Sequence, residues 1–210
     1  MAGIRAAKKR ETREAILQAA VRLFGEKGYD GTSIEDLARE AGVGKGTVYG
    51  YFQDKSEIFL AFCEEEIDYV FSVLAAGTDP DAPLLEQMMA LFLTQFRFVT
   101  ENREFGRHLI REMAFPRAVA SAGSREMDAR YLGEIGNILE RAQKRGELRE
   151  DCDRFLATVH FYALYLTALS GWYTGYVRTM EEVEASLREL FRQALEGLSA
   201  GGNKSRSEGT

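Results

Sequence analysis

The chain has 210 residues and a formal net charge of −6, and 45% of its residues are hydrophobic. This length holds one large or two small domains with a packed core. The two cysteines, Cys63 and Cys152, are too few for a disulfide framework, and the acidic balance excludes a uniformly basic nucleic-acid binder. With three prolines and no strand-like alternation of apolar and polar residues, the sequence predicts an all-α protein.

The first predicted helix covers about residues 8–27 and ends at Gly28. The first 13 residues contain five basic side chains, Arg5, Lys8, Lys9, Arg10 and Arg13. Two interpretations remain open for this segment: an arm that pairs with DNA phosphates or enters a minor groove, or a solvated, disordered terminus. No apolar stretch follows it, so no signal peptide is predicted and the cytoplasm is the expected location.

Residues 32–55 predict two short helices joined by a glycine turn, which is the most informative pattern in the chain. The first helix has apolar residues at helical spacing, namely Ile34, Leu37, Ala38 and Ala41. Thr32 is expected as its N-cap, with Glu35 completing a capping box, and Gly42 ends it. Helix, glycine turn and helix is the arrangement in which the second helix enters the DNA major groove.

The second short helix is predicted from about Lys45 to Phe52 and contains two glycines, Gly46 and Gly50. A glycine inside a helix costs about 1 kcal/mol relative to alanine. Two glycines therefore indicate that another surface, such as a DNA groove, approaches the backbone closely. The alternative is a poorly formed helix in an ordinary bundle.

Four further helices are predicted at about 54–76, 84–101, 103–114 and 124–145. They are rich in aromatic residues and methionine, which usually form core and also line adaptable apolar pockets. The two histidines, His108 and His160, could be polar anchors inside such a pocket or ordinary core residues, of which the second is the more common. With residues from the next helix, the candidate ligand-binding residues are Phe92, Phe96, His108, Phe115, Tyr162 and Trp172.

The eighth predicted helix, about 152–177, contains a stretch without any charged residue at 155–177. Such a length crosses a bilayer, but a helix buried on nearly all sides looks the same. Small residues four apart favour close packing of another helix, so we expect a subunit interface and no membrane span. A ninth helix is predicted at about 181–198. The expected interface residues on the eighth and ninth helices are Ala163, Thr167, Gly171, Gly175, Leu187, Phe191 and Leu198.

The N-terminal pattern resembles the tetracycline-repressor-like (TetR/AcrR) family of transcription regulators. The matching residues between positions 11 and 60 are Ile16, Leu17, Ala20, Leu23, Phe24, Gly28, Tyr29, Thr32, Ser33, Ile34, Leu37, Ala38, Ala41, Gly42, Val43, Lys45, Gly46, Thr47, Val48, Tyr49, Tyr51, Phe52 and Lys55. Gly44 and Gly50 depart from the pattern, since many members have a serine or alanine at the first position and a larger side chain at the second.

The resemblance implies an N-terminal three-helix domain with a helix-turn-helix, followed by a larger helical ligand-binding and dimerisation domain. The expected ranges are 1–54 for the first domain, 55–199 for the second and 200–210 for a disordered tail. It also implies that nine residues face double-stranded DNA: Thr32, Ser33, Lys45, Gly46, Thr47, Tyr49, Gly50, Tyr51 and Lys55.

The charge distribution agrees with a DNA-binding N-terminal domain and a second domain that does not contact DNA. Residues 1–60 carry 10 basic and 9 acidic side chains, whereas residues 61–210 carry 17 and 24. No nucleophile elbow, His–acid cluster or cofactor fingerprint is present in the sequence, so neither an enzyme nor a cofactor is predicted.

The sequence predicts a homodimeric, ligand-responsive transcription regulator. By resemblance it is a repressor, released from a pseudo-palindromic operator by a small, largely apolar inducer. The alternative is a helical adaptor that binds a protein partner and not DNA. Duplex binding that weakens steeply with salt separates the two.

Overall fold

The structure is a computed structural model that describes residues 2–101, 103–114 and 122–198. Over these residues the chain is all-helical and contains no strand, which confirms the predicted fold class. The helices are α1 (Ala2–Lys27), α2 (Ile34–Glu40), α3 (Lys45–Tyr49), α4 (Lys55–Gly77), α5 (Leu84–Glu101), α6 (Arg103–Ala114), α7 (Ala122–Lys144), α8 (Arg154–Thr174) and α9 (Met180–Leu198).

Three helix ends differ from the sequence-based expectation. The first helix begins at Ala2 and not near residue 8, so the basic N-terminal segment is helical and the disordered alternative is wrong for the part described. The third helix ends at Tyr49, with Gly50 as its C-cap. The eighth ends at Thr174, because Gly175 has a φ of 79° and terminates the helix in the left-handed conformation.

None of the helices between residues 2 and 198 for which coordinates are described is long and apolar enough to cross a membrane. The uncharged stretch at 155–177 includes most of α8. Its mixture of tyrosine, threonine and small residues lowers its apolar character below that of a membrane span.

The chain divides into two compact units whose boundaries fall within helices. The first unit is Met1–Asp68 together with Phe98–Gly123, and the second is Tyr69–Arg97 together with Ser124–Thr210. These ranges differ from the predicted division at residue 54, because residues 55–68 of α4 and the whole of α6 belong to the first unit. The predicted tail at 200–210 lies outside the described residues.

The core of the first unit is built on α1. Its inward face is fully or almost fully buried at Ile16, Leu17, Ala20, Leu23 and Phe24. Both α2 and α6 pack against α1, and α3 packs against α2. Leu37, Val48 and Ile58, one from each of α2, α3 and α4, are each 0% exposed.

The core of the second unit is aromatic. The Phe92 ring lies 4.9 Å from Tyr165 and 5.3 Å from Phe191, measured between ring centroids. Phe161 completes the cluster, 5.3 Å from Phe191. These contacts join α5, α8 and α9, and α8 packs along α9.

Candidate functional site

A side-chain cap fixes the start of α2. The Ser33 hydroxyl accepts a hydrogen bond from the Asp36 backbone N–H at 3.1 Å, and Asp36 Oδ2 accepts one from the Ser33 N–H at 3.1 Å. The hydrogen bonds donated by the Ser33 hydroxyl and then its N–H hold the pKa of Asp36 well below its usual range. The capping box is therefore Ser33–Asp36, one residue later than the predicted Thr32–Glu35 pair.

Thr32 faces the protein interior and not the solvent. Its side chain is 2% exposed, and its hydroxyl lies 2.8 Å from the Gly28 carbonyl oxygen and 3.1 Å from that of Leu23. These carbonyls belong to the end of α1, where backbone acceptors lack helical partners. This burial speaks against the predicted contact of Thr32 with DNA, and Thr32 is left out of the contacts proposed below.

Lys55 closes the loop between α1 and α2. Its Nζ donates to the carbonyl oxygens of Tyr29 at 2.5 Å and Thr32 at 2.8 Å. The same ammonium lies 4.2 Å from the centroid of the Tyr29 ring, which adds a cation–π attraction. The structure thus assigns Lys55 to internal hydrogen bonding, where the sequence predicted a phosphate contact.

The turn between α2 and α3 requires Gly42. This residue has a φ of 69°, which side chains disfavour, and the Val43 N–H returns to the Ala38 carbonyl at 2.9 Å. The turn connects α2 to α3, which packs against α2, and Val48, at 0% exposure, anchors α3 to the core. The predicted helix-turn-helix is therefore present at its predicted place.

The outer face of α3 is solvent-accessible. Tyr49 is 50% exposed, and Tyr51, just past the helix, is half-buried. Of the other predicted DNA-facing residues, those exposed are Ser33, Lys45, Gly46, Thr47 and Gly50. The Lys45 ammonium forms an ion pair with Glu35, which raises the pKa of Lys45 and lowers that of Glu35.

The two glycines of this segment differ in their surroundings. A Cβ added to Gly46 would meet nothing within 4 Å. A Cβ added to Gly50 would lie 3.2 Å from the Thr47 carbonyl oxygen, which is already a tight contact. At Gly46 nothing within the protein requires a glycine, so close approach of an outside surface still explains the residue. At Gly50 the Thr47 carbonyl oxygen already disfavours a side chain.

His108 belongs to the first unit, whereas Phe92, Phe96, Tyr162 and Trp172 belong to the second. Its ring stacks on Tyr29 at a centroid distance of 4.0 Å, and its Nδ1 lies 2.8 Å from Arg111 Nη2. The Arg111 guanidinium also lies 3.3 Å from Asp30 Oδ2. These contacts join α6 to the loop after α1. Burial is the main cause that raises the pKa of the Tyr29 hydroxyl.

The other predicted ligand residues are distributed as follows. Phe92 and Phe96 are fully buried, and Phe96 lies 5.6 Å from Trp172 in an edge-on contact. Tyr162 is half-buried and 5.6 Å from Tyr131. Phe115 lies outside the described residues. The rings of Phe92 and Phe96 thus form part of the hydrophobic core, which is the more common role of aromatic residues at helical spacing.

Some residues of the predicted subunit interface are exposed in the structure and others are buried. Ala163, Thr167 and Gly175 are exposed, and an open groove of about 530 Å³ is lined by Leu166, Thr167, Ser170, Gly171, Thr174 and Tyr176. Leu187 and Phe191 are 0% exposed, because they form the face of α9 that packs into the core of their own unit. This burial speaks against the predicted place of Leu187 and Phe191 in a subunit interface. The Leu198 side chain lies outside the described part.

Sequence reasoning missed several residues of the first unit. Asp36 and Arg111 stabilise the helix-turn-helix and the loop before it, and Glu66 is buried in α4. The Ser33–x–x–Asp36 spacing was readable as a cap, whereas the other two depend on contacts between distant segments.

Comparison with known proteins agrees with this architecture. The family model for bacterial regulatory proteins of the tetR family matches residues 16–62, which include α2, the turn and α3. The uncharacterised HTH-type transcriptional regulator YhgD of Bacillus subtilis is 27% identical over 200 residues, covering 90% of this chain and 98% of that protein.

Two further similarities extend over most of the chain. The HTH-type transcriptional repressor BepR of Brucella suis is 30% identical over 175 residues, covering 79% of this chain and 82% of BepR. The crystal structure of the Bacillus subtilis regulator FadR in complex with stearoyl-CoA has a TM-score of 0.70 at 20% identity, covering 88% of this chain and 98% of FadR. The FadR likeness shows the fold. The BepR identity shows the family, and the chain therefore belongs to the tetR family of bacterial regulatory proteins and is a transcriptional regulator.

Proposed function

We propose that the chain is a homodimeric repressor that binds a pseudo-palindromic operator in the cytoplasm and is released by a small, largely apolar effector. The observation that carries the proposal is α3, a five-residue helix with a buried Val48 and an exposed face of Lys45, Gly46, Thr47 and Tyr49. The name of the relative BepR supports the direction of regulation, because that protein is a repressor.

The DNA contacts that we propose are Ser33, Lys45, Gly46, Thr47, Tyr49 and Tyr51. Ser33 is exposed at the N-cap of α2, and its hydroxyl must exchange the Asp36 carboxylate for a phosphate oxygen. Lys45 must exchange Glu35 for a phosphate or a guanine edge. The exposed basic residues of α1, Arg5, Lys8, Lys9 and Arg10, supply further charge for phosphate contacts.

We propose that dimerisation uses the exposed face of α8. Large apolar side chains are exposed there, including Phe155 at 64%, Leu156 at 63% and Val159 at 38%. The groove beside Thr167 continues this uncharged face. A two-fold axis would bring the face against its own copy and place two α3 helices for successive major grooves about 34 Å apart.

The effector is proposed to shift the dimer between two geometries, of which one matches the operator. The aromatic core around Phe92 and Phe96 offers an apolar environment, and the FadR structure contains stearoyl-CoA. Helix α4 is the proposed lever, because it carries Lys55 at one end and contains a unit boundary at Asp68. Coupling of this kind is typically about 1–3 kcal/mol and is reciprocal.

The proposal is tested by selecting an operator from a random duplex library and measuring its affinity over a range of salt. We expect log affinity to fall linearly with log salt, with a slope of about −0.9 per phosphate contacted. An adaptor would give no selected sequence and no salt-dependent duplex binding. That result would support the alternative in which the α3 face binds a protein.

A further inference from the structure

The basic side chains of the helix-turn-helix region are already paired with acidic ones. Between residues 14 and 54, all of which the structure describes, the four basic residues form the ion pairs Arg22–Glu40, Lys27–Asp36, Arg39–Asp36 and Lys45–Glu35. Three of these pairs join residues of α1 and α2, and only the Lys45–Glu35 pair includes a residue of α3. The helix that is proposed to enter the groove therefore carries a single cation, which α2 holds.

The N-terminal cap of α2 does not require Glu35. The sequence predicted a capping box of Thr32 and Glu35, but the box is formed by Ser33 and Asp36. The Glu35 side chain is 63% exposed and that of Lys45 is 47% exposed, so both charged groups face the solvent. Exposed ion pairs contribute little to stability, because water screens the two charges and ordering the side chains costs entropy. The pair can therefore open when DNA offers other partners.

DNA offers different partners to the two members of this pair. The Lys45 ammonium can move to any phosphate, or to O6 and N7 of a guanine. The Glu35 carboxylate only accepts hydrogen bonds and is repelled by phosphates, so its partner in the major groove is an amino group such as that of cytosine. A duplex without such a donor opposite Glu35 leaves the carboxylate unpaired beside the phosphates. A duplex with cytosine there gives both side chains a partner.

We propose that Glu35 is a specificity-determining residue that accepts a hydrogen bond from a cytosine amino group of the operator, while Lys45 leaves it for a guanine or a phosphate. This role rests on the proposed repressor function and specifies one base that the operator presents. On other sequences Glu35 keeps Lys45, so the pair also lowers the affinity for DNA that lacks the operator.

The first measurement is the affinity of the full chain for a random-sequence duplex over a range of salt. We expect Glu35→Gln to raise this affinity about fivefold or more. The slope of log affinity against log salt should steepen by about 0.9, because Lys45 then contacts one more phosphate. Glu40→Gln is the matched control, since it lies on the same helix, removes the same charge and opens a pair with Arg22 of α1. It should change the affinity by less than about twofold.

A double-mutant cycle tests whether Glu35 acts through Lys45. Because Lys45→Gln removes the cation, Glu35→Gln should raise the affinity for the random duplex by less than about twofold in that background. An increase of about fivefold that persists without Lys45 would contradict the proposed exchange of partners, since Glu35 would then act only by repelling DNA itself.

The second measurement is the base preference at each position of an operator selected by wild type. Wild type should prefer cytosine about tenfold or more at one position of each half-site, and Glu35→Gln should lose this preference and keep the others. Unchanged base preferences, or an unchanged affinity for the random duplex, would overturn the inference and leave the repressor proposal intact. If wild type selects no operator, the repressor proposal fails and this inference with it.

Discussion

At the scale of single residues, Tyr49 has the most exposed large side chain on α3. We expect Tyr49→Ala to weaken operator binding at least tenfold without changing the dimer, because an aromatic contact to DNA is lost and no core atom is removed. Tyr69→Ala is the matched control, since Tyr69 is 53% exposed and lies on α4 in the second unit. Fluorescence anisotropy with labelled operator measures both, and equal affinities for the two variants would remove Tyr49 from the interface.

Substitution of Gly46 distinguishes the effect of helix propensity from that of a close contact with the DNA groove. Gly46→Ala adds a methyl group to open space and should raise helix propensity by about 1 kcal/mol. If DNA approaches this backbone, thermal stability should rise or stay equal while operator affinity falls at least tenfold. A stabilised variant that binds normally would exclude the close approach. Gly50→Leu is a poorer test, because the Thr47 carbonyl oxygen already crowds that site.

Glu66 also predicts how stability depends on pH. Its folded pKa of about 8 exceeds the ordinary value of 4.5, so the unfolded chain releases the proton more readily and stability is lost as pH rises from 4.5 to 8. Glu66→Gln removes this loss. Relative to wild type, its free energy of unfolding in urea should increase by about 2–3 kcal/mol between pH 5 and pH 7. A difference that does not change with pH would contradict the assignment.

At the scale of elements, Lys55 connects the loop after α1 to the first turn of α4. Lys55→Met keeps much of the stem and removes the donor to two carbonyl oxygens, so unfolding free energy should fall by about 1–3 kcal/mol. The salt dependence of operator affinity distinguishes this role from a phosphate contact. We expect an unchanged slope, whereas loss of a phosphate contact would reduce it by about 0.9.

The same loop is held from a second side by α6. Tyr29 receives the Lys55 ammonium on its ring and stacks on His108, while Arg111 reaches Asp30. Since arginine only donates hydrogen bonds, the Arg111 guanidinium donates to His108 Nδ1 in this contact. The entry to the helix-turn-helix therefore depends on α4 and α6 together.

At the scale of the whole molecule, the uncharged α8 face predicts the oligomeric state. Thr167→Glu should place two like charges within the symmetric interface and give monomers in size-exclusion chromatography with light scattering. Asn137→Glu, on the exposed side of α7, serves as the control and should remain dimeric. A dimeric Thr167→Glu variant would locate the interface elsewhere. Gly171 is less suitable for substitution, because a Cβ there lies 3.3 Å from Val177 Cγ2.

Local features of the sequence were sufficient for the helix-turn-helix. Gly42 requires positive φ, the apolar spacing of α2 gives its buried face, and Val48 anchors α3; each of these operates within a few residues. The all-helical class and the position of α3 follow from the same short-range rules. The helix ends at Tyr49 and Thr174 were less predictable, because a glycine can lie inside a helix or end it.

Only the tertiary structure decided which polar residues face the solvent. Thr32 and Lys55 have side chains suited to DNA, yet both satisfy backbone carbonyls at the end of α1 and in the loop that follows it. His108 and Phe191 have side chains that suit a ligand or an interface, yet they pack in cores. The periodicity of a helix gives the face on which a residue lies. What packs against that face is set by distant segments, as in the ion pair of Arg188 with Glu86, which are 102 residues apart. Burial and hydrogen bonding depend on that partner, and these decide whether a polar side chain is structural or available for binding.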